Sequence, residues 1–125
     1  MILGIGIDLV EINEFEQTLH RSGNPFLKRV FTEREIQYCR SQPHANQSFA
    51  VRFAAKEATM KALSLAGEKG LKWRDFEVVG LASGKPEMRL SGLAAKRAGS
   101  MGIHHILIAL SHSRSAAAAV VIAEA

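Results

Sequence analysis

The beginning of the chain alternates apolar residues with small or charged ones, which is the pattern of a β-strand. Residues 2–10 place four large apolar side chains on one face and two glycines with an aspartate on the other: Leu3, Ile5, Ile7 and Leu9 against Gly4, Gly6 and Asp8. An unpaired buried carboxylate costs several kcal/mol, so Asp8 requires a cation, a hydrogen-bond network or solvent. The two glycines leave space beside Asp8 for something that approaches closely.

Helical spacing and end signals predict helices over residues 12–20, about 26–30, 33–42, 49–66 and 92–100. The first two are separated by the turn-forming run Ser22-Gly23-Asn24-Pro25. A capping box from Thr32 to Glu35 begins the third, and Ser48 is the predicted N-cap of the fourth, which is rich in alanine.

Further strands are predicted over residues 75–81, 87–90, 103–110 and 116–123. The last two form a closing hairpin around the polar run 111–115. The predicted fold is therefore α+β, with mostly antiparallel strands packed against a long central helix, in one compact domain over residues 1–125.

Composition narrows the classes of function without choosing one. The 125 residues are 47% hydrophobic, enough for a single core, and the net charge of +4 favours anionic partners. Nucleic acid is not expected, because the basic residues are scattered and no nucleic-acid-binding motif is present. A membrane span is not expected, because the longest apolar run, residues 116–123, is far below the roughly 20 residues of a spanning helix. A signal peptide is not expected either, because the N-terminus has no basic flank and Asp8 interrupts its apolar run. We expect a cytoplasmic protein whose lone Cys39 is a core residue.

The fourth predicted helix carries charges beside apolar anchors. At about 100° per residue, one half of the helix holds Arg52, Phe53, Lys56, Glu57, Met60 and Lys61, and small alanines cover the other half. A solvated helix separates charges from aromatic residues, so this pattern indicates a partly enclosed charged site. The alternative is an ordinary exposed Glu57–Lys61 pair, which stabilises a helix by about 0.2–0.5 kcal/mol.

Asp8 and Glu57 together would form an oxygen-rich site suited to Mg²⁺, which takes one or two carboxylates, waters and substrate phosphates. Arg52, Lys56 and Lys61 would then face those phosphates. A serine hydrolase built on Ser111-His112-Ser113 is disfavoured, because neighbouring residues of a strand point in opposite directions.

Four segments, in this order and in a chain of this length, resemble the holo-acyl-carrier-protein synthases, the small 4′-phosphopantetheinyl transferases. They are Gly4-Ile5-Gly6-Ile7-Asp8-Leu9-Val10-Glu11, Arg52-Phe53-Ala54-Ala55-Lys56-Glu57-Ala58 with Lys61, Gly84-Lys85-Pro86, and Leu110-Ser111-His112-Ser113. The resemblance runs from Met1 to about Ile122. It implies the α+β fold of that family and a homotrimer with active sites between subunits.

The resemblance also implies an activity. The family transfers the 4′-phosphopantetheine arm of coenzyme A to a serine of apo acyl carrier protein, with Mg²⁺, and releases adenosine 3′,5′-bisphosphate. Asp8 and Glu57 are then assigned to the metal, Lys61 to the leaving phosphate, and Glu57 to the serine proton, directly or through water.

For the substrate, the resemblance assigns His112 and Ser113 to the 3′-phosphate of coenzyme A with Arg52 as their charged partner. It assigns Lys85 and Pro86 to the adenine side. An ordinary hairpin turn is the alternative for Lys85 and Pro86.

The sequence departs from the family at two places. The family has a Gly-Thr-Gly-type turn where this chain reads Leu63-Ser64-Leu65-Ala66, which predicts a longer helix or a different pyrophosphate loop. The family also places an arginine near position 14, where this chain has Glu14, which would repel an acidic carrier protein. Two other classes stay open: a coenzyme A or nucleotide binding protein without transfer activity, and a purely structural protein.

Overall fold

The computed structural model describes residues 1–80 and 82–125. Four α-helices are described: α1 (Ile12–Val30), α2 (Glu33–Arg40), α3 (Ala45–Ala62) and α4 (Gly92–Ser100). The described strands are β1 (Ile2–Glu11), β2 (Phe76–Gly80), β3 (Pro86–Leu90), β4 (His105–His112) and β5 (Ala116–Glu124). A short 3-10 helix, Trp73–Asp75, precedes β2. The predicted strand over 75–81 thus ends at Gly80, and position 81 lies outside the described residues.

All strand pairs of the described chain are antiparallel, as predicted. One sheet has the order β1-β5-β4, and β2 pairs with β3 in a separate hairpin. Helix α3 packs across the three-stranded sheet, in contact with both β1 and β5. The α+β class and the central helix are confirmed.

The two glycines of β1 allow this strand to lie directly on α3. A Cβ atom added to Gly4 would stand 2.1 Å from the carbonyl oxygen of Ala62, and one added to Gly6 would stand 1.9 Å from that of Ala58. Such distances are far inside van der Waals contact, so only glycine fits. The space that the glycines were predicted to leave is therefore filled by the backbone of α3.

The opposite face of the sheet is apolar and exposed. On β1, Ile5, Ile7 and Leu9 are between 65% and 68% exposed. The strand register sets Ile5 beside Ile122 and Ile7 beside Val120, and Leu107 of β4 continues the surface. We call the surface formed by Ile5, Ile7, Leu9, Leu107, Val120 and Ile122 the outer sheet face.

The helices follow the predicted signals with two corrections. The turn predicted at residues 22–25 appears as a break within α1, where Gly23 is non-helical with φ 60°. Both hydrogen bonds of the Thr32–Glu35 capping box are present. Helix α3, however, begins with His44 as N-cap rather than Ser48, and it ends at Ala62, so it is not extended into 63–66.

Two clusters of buried side chains form the core. One lies between α3, the three-stranded sheet and α4, and the other between α1, α2 and the first half of α3. Cys39 is buried in the second cluster, as predicted, and burial raises the pKa of its thiol. Within the described residues, no helix combines the length and the apolar character needed to cross a membrane.

Candidate active site

Asp8, Glu57 and Lys61 come together where β1 crosses α3. The ammonium of Lys61 donates to Asp8 Oδ1 at 3.0 Å and to the carbonyl oxygen of Ile7 at 3.1 Å. Glu57 lies one helical turn before Lys61, and its carboxyl group is near enough to Asp8 and Lys61 to be influenced by both charges. The Asp8 side chain is 11% exposed, whereas that of Lys61 is 49% exposed.

The electrostatics of this group favour a further positive charge. Burial raises the pKa of Glu57, and the neighbouring negative charge of Asp8 raises it further, while Lys61 opposes the rise. Two carboxylates beside one ammonium leave a net negative charge in a partly buried site. A cation bound between the carboxylates would relieve this repulsion.

A divalent cation fits these donors. Among the described residues, no group of three or more His, Cys, Asp or Glu side chains is arranged to hold a metal. Two carboxylates are nevertheless the typical protein contribution to a Mg²⁺ site, because this ion keeps several waters and binds substrate oxygens. Asp8 and Glu57 are the residues that could hold it.

Aromatic side chains form the other wall of this site. Asp8 and Glu57 line a cavity of about 280 Å³ that is also bounded by Phe15, Phe26 and Phe53. The three rings contact one another with centroids 5.4 to 6.1 Å apart. This cavity therefore pairs a charged end with an apolar wall, which suits a phosphate ester attached to an uncharged chain.

Arg52 and His112 line a second cavity, of about 240 Å³. One arm of the Arg52 guanidinium donates to the hydroxyl oxygen of Ser48 at 3.0 Å, and its plane lies over the Tyr38 ring at 4.4 Å. The Nε atom of Arg52 is buried without a hydrogen-bond partner in the described structure. The guanidinium thus brings a positive charge, held in place by Ser48 and Tyr38, to the lining of this cavity, which suits an anion.

Ser113 lies in the turn between β4 and β5 and lines a larger adjoining cavity of about 940 Å³ together with His112. Its hydroxyl oxygen accepts from the backbone amides of Ser115 and Ala116, so Ser113 shapes the turn as well. His44 and Gln47 line both cavities, and neither was predicted as a site residue. Their only sequence signal was their position just before the charged part of α3.

Lys56 lines none of the three cavities described above. This corrects the prediction that Lys56 contacts the phosphates. Its side chain is fully buried and bonds to Glu35 at 2.7 Å. Lys56 follows Phe53 by one turn, and its ammonium points away from Asp8 into the core between α2, α3 and β2.

Lys85 and Pro86 stand apart from the other predicted residues. Pro86 begins β3 opposite Gly80, and the Lys85 amide donates to the Ser83 hydroxyl at 3.4 Å. Among the described residues, no hydrogen bond or ion pair connects Lys85 with Arg52 or His112. Within one chain, the fold does not join this turn to the charged cavities.

Comparison with known proteins places the chain among enzymes of one kind. A family profile described as the 4′-phosphopantetheinyl transferase superfamily matches residues 4–121. A protein of Koribacter versatilis named holo-[acyl-carrier-protein] synthase is 44% identical over 124 residues, which are 99% of both chains. One of the same name from Solibacter usitatus is 40% identical over 99% of both chains.

Solved structures agree. The crystal structure of holo-[acyl-carrier-protein] synthase from Neisseria meningitidis superimposes with a TM-score of 0.91 at 29% identity, over 100% of both chains. That of the Helicobacter pylori synthase, in complex with coenzyme A, gives a TM-score of 0.83 at 31% identity, over 96% of this chain and 99% of the other.

Proposed function

The chain belongs to the 4′-phosphopantetheinyl transferase superfamily, and we propose from this membership that it acts as a holo-acyl-carrier-protein synthase. It transfers the 4′-phosphopantetheine arm of coenzyme A to a serine of apo acyl carrier protein. The observation that carries the proposal is the meeting of Asp8 and Glu57 in one partly buried cavity with an aromatic wall, with Lys61 bonded to Asp8 beside it.

The reaction exchanges the phosphoanhydride bond of coenzyme A for a phosphoester bond to serine. The serine oxygen of the carrier forms a bond to the phosphorus that bears the pantetheine arm, and the bond from that phosphorus to the bridging oxygen breaks. Adenosine 3′,5′-bisphosphate leaves with the electron pair. Such transfers depend mainly on positioning and on neutralising charge.

Glu57 accepts the proton of the serine hydroxyl, directly or through a water molecule. In the metal-free protein, burial and the Asp8 charge raise the pKa of Glu57, whereas a bound cation would limit its basicity and so favours transfer through water. Lys61 is half exposed and held only by Asp8 and a carbonyl oxygen, so its ammonium can turn toward the leaving phosphate. Mg²⁺ bound by Asp8 and Glu57 would supply Lewis-acid stabilisation of the pyrophosphate oxygens.

Arg52 and His112 bind the 3′-phosphate of coenzyme A. The buried unpaired Nε of Arg52 and the cavity that it shares with His112 support this assignment. Ser113, in the adjoining cavity, completes the anion site through its hydroxyl proton or backbone.

The functional assembly is a homotrimer whose active sites lie between subunits. The outer sheet face supports association with further copies of this chain, because it is apolar, exposed and continuous over three strands. A neighbouring subunit could also bring Lys85 and Pro86 to the coenzyme A site, which they do not reach within one chain. Sedimentation equilibrium would test this: we expect a trimer for the natural protein and a smaller species for Ile7→Arg. A monomeric natural protein that is fully active would exclude the assembly.

The acidic carrier protein docks beside the first cavity. Glu14, which lines that cavity, lies at the start of α1, whereas the basic Lys28 and Arg29 lie in its last turn. Arg21 lies between these two ends of α1. Docking therefore relies on the basic part of α1.

The cytoplasmic localisation stays a prediction from the sequence.

Incubation of an apo carrier protein with coenzyme A, Mg²⁺ and this protein tests the function. We expect mass spectrometry to detect the added phosphopantetheine on the carrier and adenosine 3′,5′-bisphosphate in solution. Binding of coenzyme A without any gain in carrier mass, over several carriers, would instead indicate a binding protein without transfer activity.

A further inference from the structure

Lys56 is a buried charge whose donors all have acceptors. Its ammonium donates to Glu35 Oε1 at 2.7 Å, to the carbonyl oxygen of Trp73 at 3.3 Å and to that of Phe76. The Phe31 ring covers it at 5.3 Å. An ammonium has three protons to donate, so Lys56 has none left for a substrate.

Glu35 connects the same charge to two more elements. Its Oε1 atom accepts from the amide of Thr32 at 2.9 Å, which caps α2, and its Oε2 atom accepts from the amide of Val78 at 2.8 Å in β2. Lys56 and Glu35 therefore join the middle of α3 to the start of α2 and to β2. Both side chains are fully buried.

Stability alone does not require this arrangement. Burying two charges costs several kcal/mol per ion, and well-packed apolar residues of similar volume often stabilise a fold equally well or better. What a hydrogen-bonded pair adds is a fixed geometry, because each bond tolerates only small changes in distance and angle.

The pair reaches the candidate active site by two routes. Glu57 follows Lys56 directly in α3, so the rotation of this turn also sets the direction of the Glu57 carboxylate. In addition, Trp73, whose carbonyl oxygen accepts from Lys56, stacks on Phe53 with centroids 5.0 Å apart and ring planes 14° apart. Phe53 forms part of the wall of the cavity that contains Asp8 and Glu57.

We propose that Lys56, paired with Glu35, is a positioning residue for phosphopantetheinyl transfer. It fixes the rotation of α3 and the position of the Phe53 ring in the cavity wall, so that the Glu57 carboxylate lies beside Asp8. This inference rests on the proposed function. The expected loss of rate follows from the sensitivity of catalysis to geometry, since a displacement of about 1 Å can cost roughly 100-fold in rate.

The test uses two variants of the full chain, Glu35→Gln and the double variant Lys56→Met with Glu35→Gln. Both remove charge from the pair without large changes in volume. We expect kcat to fall at least about tenfold in the double variant while KM for coenzyme A changes less than about twofold, because Arg52 and His112 are untouched. Calorimetric titration of Mg²⁺ into the protein with coenzyme A should show weaker metal binding.

Trp73 supplies a spectroscopic readout, because it is the only tryptophan of the chain. Acrylamide should quench its fluorescence more strongly in the double variant if the stack on Phe53 loosens. Ile103→Ala is the matched control, since Ile103 is buried between α4 and β4, outside the elements that Lys56 and Glu35 join. It should lower the melting temperature but leave kcat, Mg²⁺ binding and quenching unchanged.

Three outcomes would overturn the inference. The first is a double variant with kcat within about threefold of the natural protein, and the second is a rise in KM for coenzyme A at unchanged kcat. The third is an equal loss of kcat in Ile103→Ala, which would indicate a general effect of stability. Should the double variant not fold, Lys56→Arg, which keeps a charge beside Glu35 but changes the hydrogen-bond geometry, decides by the same criteria. If the natural protein itself adds no mass to a carrier, the proposed function fails rather than this inference.

Discussion

Lys56 and Lys61 both project from α3 and both pair with a carboxylate, yet their surroundings are opposite. The Lys56–Glu35 pair, at 2.7 Å, has no exposed side-chain surface. The Lys61–Asp8 pair, at 3.0 Å, is open to solvent on the lysine side. Burial lowers the pKa of Lys56, although the Glu35 carboxylate opposes this effect.

The difference teaches what each lysine can do. Removing one partner of a buried pair leaves an uncompensated charge and costs about 3–5 kcal/mol, so Lys56 cannot exchange Glu35 for a substrate. The ammonium end of the second pair is half exposed, so Lys61 can turn from Asp8 to an arriving phosphate once a bound cation neutralises the largely buried Asp8 carboxylate. In the proposed function, Lys56 therefore holds the structure around the site in place, and Lys61 takes part in the reaction.

The largest expected effect comes from the carboxylates near Lys61. Asp8→Asn and Glu57→Gln should each lower turnover by roughly 100-fold or more, the effect of removing one group that stabilises transition-state charge. The fold should persist, because both replacements keep the side-chain volume. Steady-state assays over a range of Mg²⁺, with circular dichroism for the fold, would check this. Near-normal rates at low Mg²⁺ in either variant would contradict the two-carboxylate site.

Lys61→Met sharpens the contrast with Lys56. It should lower kcat about tenfold or more, which corresponds to about 1.4 kcal/mol in the barrier, while coenzyme A affinity changes much less. The melting temperature should hardly move, because the side chain is half exposed. Kinetics and calorimetric binding measure the two quantities separately. A loss of affinity at unchanged kcat would reduce Lys61 to a ground-state phosphate contact.

Arg52→Ala and His112→Ala should act on binding rather than on the chemical step. Each removes a charge-assisted contact worth about 1.5–3 kcal/mol, so coenzyme A affinity should fall roughly tenfold or more. The matched control is 3′-dephospho-coenzyme A, whose use should hardly change. Equal losses with both substrates would remove the 3′-phosphate from this cavity.

A smaller effect concerns pH in the metal-free protein. Because folding raises the pKa of Glu57 above its ordinary value of 4.5, the native state holds this proton more tightly than the unfolded chain. The resulting stability is complete below pH 4.5 and is lost as the pH rises through the raised value. Glu57→Gln stays neutral, so its melting temperature should exceed that of the natural protein only above this range. Calorimetry in chelator would measure it, and a parallel pH dependence in both proteins would contradict it.

The smallest expected effect lies on α1. Glu14→Arg should lower KM for an acidic carrier, and Lys28→Glu with Arg29→Glu should raise it, without changing coenzyme A affinity. Salt should weaken both effects, because these charges are exposed. Kinetics at low and moderate ionic strength would decide. Poorer use of every carrier by Glu14→Arg would mean that Glu14 makes a favourable contact with a basic residue of the true partner.

The sequence predicted the parts of the fold whose signals are local. The alternation in β1 from residue 4 onward, the capping box at Thr32 and the closing hairpin are encoded by neighbouring residues, and they are confirmed. Leu3, predicted on the same face as Ile5, instead packs against the core, because the strand register shifts between Ile2 and Gly4. The start of α3 was predicted wrongly, because Ser48 is a good N-cap type but lies inside the helix, where it accepts from Arg52.

The site was predictable where one element carries the signal, and less so where distant elements meet. Glu57 and Lys61 follow from the pattern of α3 and do meet Asp8. Lys56 looked equivalent, because its partner Glu35 and the carbonyl of Phe76 come from other parts of the chain. The alternation likewise assigns residues to the two faces of β1, but it does not show that the face with Ile5 and Ile7 is exposed to solvent in a single chain.

The contact between Gly6 and Ala58 leaves no room for even one methyl group between β1 and α3. A side-chain carbon needs about 3.3 Å to a carbonyl oxygen, but the backbone leaves 1.9 Å. Even alanine at position 6 would therefore push β1 away from α3 by more than an ångström. Asp8 lies two residues further along the same strand, and its 3.0 Å bond to Lys61 would not survive that shift. The distance between Asp8 and Lys61 therefore depends on position 6 having no side chain.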